Sequence, residues 1–244
     1  MALFADGSVG RGTADASSDL DLVVALVDQA AVQDVCAGWE TFIEKITPTV
    51  YRRLLGTQIV TVVTPSWERL DITFMPAAAT GLLTSGPATV LFDHGQTQPP
   101  VSPAAPVASA EDLVVRAENF IRSVGLMATD LERGEYTTLR WASEFLIQEL
   151  VELMFIQAAT PRRTLKRIYA DLPHEDQRIL EGLPLPDGTP DSIVACHLAI
   201  AAEFLPRVRA LIENVGGRWP AELVDATDRY LRTNVGVGFE LDGD

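Results

Sequence analysis

Two aspartates separated by a single leucine stand eleven positions after a Gly-Ser pair, and an apolar strand follows them directly. Residues 4 to 22 read Phe-Ala-Asp-Gly-Ser-Val-Gly-Arg-Gly-Thr-Ala-Asp-Ala-Ser-Ser-Asp-Leu-Asp-Leu, and Val23-Val24-Ala25-Leu26-Val27 continues the run. Side chains alternate faces along a strand, so Asp19 and Asp21 point one way while Leu20 and Leu22 are expected to point into a core. Two adjacent carboxylates repel each other unless a cation lies between them. A hard divalent ion such as Mg²⁺ takes carboxylate oxygens together with substrate phosphates. A Gly-Ser turn beside it can present backbone N–H groups and a hydroxyl to a phosphate.

A third carboxylate extends the pattern. In Trp67-Glu68-Arg69-Leu70-Asp71-Ile72-Thr73-Phe74-Met75, the residues Leu70, Ile72 and Phe74 share one face, and Arg69, Asp71 and Thr73 share the other. A strand here can bring Asp71 beside Asp19 and Asp21. Three carboxylates on neighbouring strands can hold two metal ions about 4 Å apart, as in-line phosphoryl or nucleotidyl displacement requires.

With turn, spacing, paired acids and third acid in order, the chain resembles the DNA polymerase β-type nucleotidyltransferase superfamily. The strings Gly7-Ser8-Val9-Gly10-Arg11-Gly12 and Ser18-Asp19-Leu20-Asp21-Leu22 are similar to those of its small bacterial members, including antibiotic nucleotidyltransferases acting on aminoglycosides and lincosamides. The motif match covers residues 3 to 76; the remainder matches only as a helical domain after a catalytic one. The resemblance implies a metal-dependent transferase moving a nucleoside monophosphate, AMP from ATP, to a hydroxyl of a small molecule. It implies a two-metal Mg²⁺ site on Asp19, Asp21 and Asp71, with Asp71 also helping to deprotonate the acceptor. Gly7 and Ser8 would seat the β- and γ-phosphates. Arg11 would pair with phosphate oxygens or lie on the surface, and Ser18 would donate a hydroxyl or close its turn.

Composition narrows the partners. A net charge of −15 argues against nucleic acid, whose binders carry a basic stripe. The same field attracts a cationic small acceptor, though acidic surfaces also simply aid solubility. The sequence contains no apolar run of about 18 residues and begins without a basic, then apolar, leader, so no membrane span or signal peptide is expected. Cys36 and Cys196 belong to no metal or redox motif, which fits a cytoplasmic protein. His94, His174 and His197 form no ligand spacing, and no role attaches to them.

Along the chain, a helix is expected over Gln29–Glu40, then apolar alternations near Phe42–Ile46 and Thr57–Thr64, and a short strand at Thr89–Phe92. Four prolines within 98–106 break both periodicities and mark a linker. Beyond it the pattern is helical, beginning at a Ser109 cap and continuing with an almost wholly apolar helix over Glu135–Ala158. The expected fold class is therefore α+β: a small mixed-sheet nucleotidyltransferase domain over 1–98, followed by a helical bundle domain over 107–244 that binds the acceptor.

Two further sets of residues are candidates. Lys166 lies in a basic cluster with Arg162, Arg163 and Arg167; the family resemblance implies a lysine reaching the triphosphate, and the competing reading is a solvated helix face. Glu149, Glu144 and Glu152 sit on the apolar helix. Glu149 either grips an acceptor amine or pairs internally with an arginine, since an unpaired buried charge is costly. Two other function classes stay open: a toxin–antitoxin type module that adenylylates a protein, and a non-catalytic nucleotide-binding protein.

Overall fold

Strand Leu20–Leu26 (β2) lies at the centre of a six-stranded mixed sheet and is flanked by the two elements that matter most for function. The structure, a computed structural model, describes residues 1–82, 88–95, 97, 108–159 and 171–239. The chain divides into two compact units, Met1–Ala104 and Ala105–Asp244. The proline segment 98–106 and the basic cluster around Lys166 lie outside the described residues.

In the first unit, strands Ala2–Ala5 (β1), β2, Tyr51–Leu55 (β3), Ile59–Val63 (β4), Arg69–Pro76 (β5) and Thr89–Asp93 (β6) are ordered β3-β4-β5-β2-β1-β6. β2 and β5 run parallel, and the other neighbouring pairs are antiparallel. A one-turn helix, Gly7–Gly10 (α1), joins β1 to the loop before β2. Helices Gln29–Ala37 (α2) and Trp39–Ile46 (α3) make the crossover.

Alternation sorts the sheet into two faces. Leu26, Ile72, Phe74, Val60 and Val62 pack with Val32, Cys36 and Ile43 of α2 and α3. Ala2, Phe4, Val23, Ala25 and Met75 form a smaller cluster on the other face, against Ala77, Ala79 and Ala88. Asp21 and Asp71 share the phase of Val23 and Met75, so they belong to the face away from α2 and α3.

Two expectations need correction, and one strand was not anticipated. Leu20 is 39 % exposed and does not join the core, because β2 begins there, at the rim of the sheet. Phe42–Ile46 lies in a helix, not an alternating strand. Trp39, Ile43 and Ile46 recur at a spacing of three to four, and a window this short fits both periods. Tyr51–Leu55 pairs with Ile59–Val63 as a hairpin that the basic pair Arg52-Arg53 hid from hydropathy.

All regular elements described in the second unit are helices: Ala110–Arg133 (α4), Tyr136–Gln157 (α5), His174–Gly182 (α6), Pro190–Asn214 (α7) and Ala221–Asn234 (α8). Ser109 and Asp112 form a reciprocal capping box at the start of α4. Thr189 caps α7, and Asp187 accepts from Ser192 Oγ, Thr189 N and Thr189 Oγ1 around it. These bonds, that from Ser192 first, hold the Asp187 carboxyl down at about 2. The core is continuous across α4, α5, α7 and α8 and is centred on Phe120 and Phe204, whose rings stack 3.8 Å apart. The observed class is α+β, a mixed sheet followed by a helical unit. No described helix is long and apolar enough to cross a membrane.

Candidate active site

The parallel register of β2 and β5 sets Asp21 directly opposite Asp71. Asp19 lies one residue before β2, and all three half-buried aspartates offer carboxylate oxygens within 4.8 Å of one another. Like charges so close favour a cation among them. An all-oxygen, all-carboxylate set suits a hard divalent ion rather than a soft one.

The Gly-Ser turn lies against these acids. Asp6 directly follows β1, caps α1 by accepting from Gly7 N at 2.7 Å, and donates its own N–H to Asp21 O at 2.8 Å. Gly7 has φ +57°, and a Cβ there would stand 1.9 Å from Asp21 Oδ2. Only glycine therefore fits between the turn and that carboxylate. Gly10 is confined too, since a Cβ would meet Ala5 O at 2.3 Å. Ser8 is buried, and its Oγ has no hydrogen-bond partner among the described residues. An orphaned buried hydroxyl is costly on its own, and a phosphate oxygen would satisfy it. The donor set, the Gly7 cradle and the orphaned Ser8 hydroxyl all fit a metal-bound polyphosphate.

Ser18 closes its turn. Its Oγ accepts from Asp15 N at 2.9 Å and donates to Asp15 Oδ1 at 3.0 Å. Arg11 follows α1 and is half-buried. Arg69 donates from Nη2 to Ser17 O and ties β5 to the loop that carries Asp19, a role no local sequence signal announces. The sequence signal for the Asp6 cap is an Asp immediately before Gly-Ser, a common N-cap residue. Lys166 lies outside the described residues.

In the helical unit, Glu149 pairs with Arg116 of α4. Glu144 is exposed. Glu149, Glu152, Arg116, Arg122 and Phe145 line an open groove of about 850 Å³ between α4 and α5. His197 lies wholly buried in the core, with Nε2 2.9 Å from Ser143 Oγ and 3.2 Å from Leu139 O. Burial pushes its pKa down, although the bond to Leu139 O acts the other way.

No protein-family model and no curated protein matches the chain. Among solved structures it is similar to an aminoglycoside 6-adenyltransferase from Bacillus subtilis, with a TM-score of 0.46 and 13 % identity over 94 % of this chain and 90 % of that one. So loose a likeness carries no argument about chemistry.

Proposed function

We propose that the chain is a nucleotidyltransferase of the polymerase β type, moving AMP from ATP to a hydroxyl of a small acceptor. The observation that carries this reading is the convergence of Asp19, Asp21 and Asp71 within 4.8 Å beside a turn whose Gly7 packs on Asp21. Mg²⁺ held by the three carboxylates would supply charge neutralisation at the phosphates.

The residues divide the remaining work. Ser8 Oγ and the α1 backbone bind the β- and γ-phosphates. Asp71, on the opposite side of β2 from α1, accepts the proton of the acceptor hydroxyl. The acceptor oxygen bonds to the α-phosphorus, the bond from α-phosphorus to the bridging oxygen breaks, and pyrophosphate leaves on the Gly7-Ser8 side. Arg69 orients this assembly by anchoring the loop of Asp19 to β5. The net charge of −15 favours a cationic acceptor, of the kind aminoglycosides and lincosamides represent.

The test is incubation with Mg²⁺, each nucleoside triphosphate and a panel of such antibiotics, read by mass. Gain of one nucleoside monophosphate supports the reading. A protein that binds no nucleotide in Mg²⁺ contradicts it. Adenylylation of a co-purifying protein instead of a small molecule would move the reading to the toxin–antitoxin class.

A further inference from the structure

We infer that Trp67 is the ring that receives the acceptor, an amine-bearing sugar-like ring, at the rim of the acid cluster. This rests on the nucleotidyl-transfer reading of Asp19, Asp21 and Asp71.

Trp67 joins a strained backbone to an apolar side chain left in water. Its backbone is left-handed, with φ +68°, a region a bulky residue rarely occupies. Its side chain is 76 % exposed. The turn around it is nevertheless heavily fixed. Thr64 N donates to Glu68 O at 3.0 Å, Trp67 N to Thr64 O at 2.9 Å and Glu68 N to Thr64 Oγ1 at 3.1 Å. Ser66 Oγ and Thr64 Oγ1 both reach Glu68 Oε2. Thr64 is itself buried. A strained residue held by an over-determined turn, with its apolar ring in water, has the form of a preorganised contact.

The strand order argues for the acceptor as the substrate it meets. Trp67 lies in the β4–β5 turn, four residues before Asp71 and so within about 14 Å of it along the chain. The sheet order places β5 on one flank of β2 and β1 on the other, and α1 follows β1 directly. Pyrophosphate leaves on the flank of Gly7 and Ser8. In-line displacement brings the attacking hydroxyl from the opposite flank, which is that of Asp71 and Trp67. Two residues on, Arg69 is locked to Ser17 O, so the turn and the Asp19 loop hold one register. An indole face at that place packs on the C–H face of a sugar ring and attracts an ammonium.

The experiment uses the full chain and its W67A and W67F variants. The nucleotide probe is α,β-methylene-ATP with Mg²⁺, which cannot release pyrophosphate; the acceptor probes are kanamycin and lincomycin. Calorimetry gives each affinity, with the acceptors titrated with and without nucleotide. At least tenfold weaker acceptor binding in W67A is expected, with W67F within about threefold of the parent and nucleotide affinity unchanged in both. Acceptor affinity unchanged in W67A overturns the inference, as does failure of the parent chain to bind either acceptor. Loss of nucleotide affinity alone assigns Trp67 to the base and also overturns it. Equal loss of both means a structural role. Absence of nucleotide binding in every variant, the parent included, defeats the transferase reading and with it the premise of this inference.

Discussion

Gly7 and Asp21 are packed so closely that a Cβ on the glycine would stand 1.9 Å from the carboxylate oxygen Oδ2. The Gly-Ser turn therefore sits directly against the middle acid of the cluster, with no room for a side chain between them. Gly7→Ala should push Asp21 out of the cluster and strain a backbone at φ +57°. We expect loss of Mg²⁺-dependent nucleotide binding and a stability loss of about 1 kcal/mol or more from the backbone alone. An Ala variant with parental nucleotide affinity would show the contact to be irrelevant to the site.

The acid cluster should trade stability for function. Replacing Asp21 or Asp71 by Asn removes like-charge repulsion as well as a ligand. Without metal, either variant should melt no lower than the parent, and with Mg²⁺ and ATP it should show none of the parent's rise in melting temperature. A fall in metal-free stability would mean that the carboxylates are structural.

Glu149 is held by Arg116, and both side chains are mostly buried, 20 % and 27 % exposed. Glu149→Gln should lower stability by about 1 kcal/mol, between the value of a surface pair and that of a fully buried one. At this chain length that is a shift of about 2–4 °C. Nucleotide and acceptor affinities should change little. A raised acceptor KM with an unchanged melting temperature would instead assign Glu149 to the acceptor amine.

His197 predicts a pH dependence. Its folded pKa lies below the ordinary value, chiefly because burial opposes the charged form. Below about pH 6.5 the unfolded chain therefore takes up a proton that the folded chain refuses, and stability falls as pH drops. The contribution is fully present above the unfolded value and is lost at up to about 1.4 kcal/mol per pH unit below it. Denaturant melts at pH 7.5 and 5.5 should show this fall in the parent and a smaller one in His197→Gln. Equal slopes would mean that other groups carry the acid sensitivity.

The acid cluster was legible where chemistry forces a spacing, and the fold where periodicity is long. Alternation sets Asp21 and Asp71 on one face, and β2 and β5 place them opposite each other; Asp19 joins them from the loop just before β2. The helices from Ser109 onward announced themselves by caps and by stripes of three and four. What escaped were features that depend on partners distant in sequence. Arg69 reads as a wet strand residue until its bond to Ser17 is seen. Trp67 reads as an unremarkable aromatic until its φ is known, and His197 as an isolated histidine until Ser143 and Leu139 enclose it. The α3 helix was missed because eight residues hold too few turns to separate one period from the other.

The most direct measurement of the central claim is Mn²⁺ binding, with Mn²⁺ standing in for Mg²⁺, followed by electron paramagnetic resonance in the presence of α,β-methylene-ATP. The parent chain should bind the ion tightly only with nucleotide present. Asp19→Asn, Asp21→Asn and Asp71→Asn should each weaken that binding at least tenfold while the far-ultraviolet circular dichroism stays unchanged. Nucleotide-dependent Mn²⁺ binding that survives all three substitutions, or no such binding in the parent, would contradict the assignment of the three aspartates as the metal-holding centre of a nucleotidyltransferase.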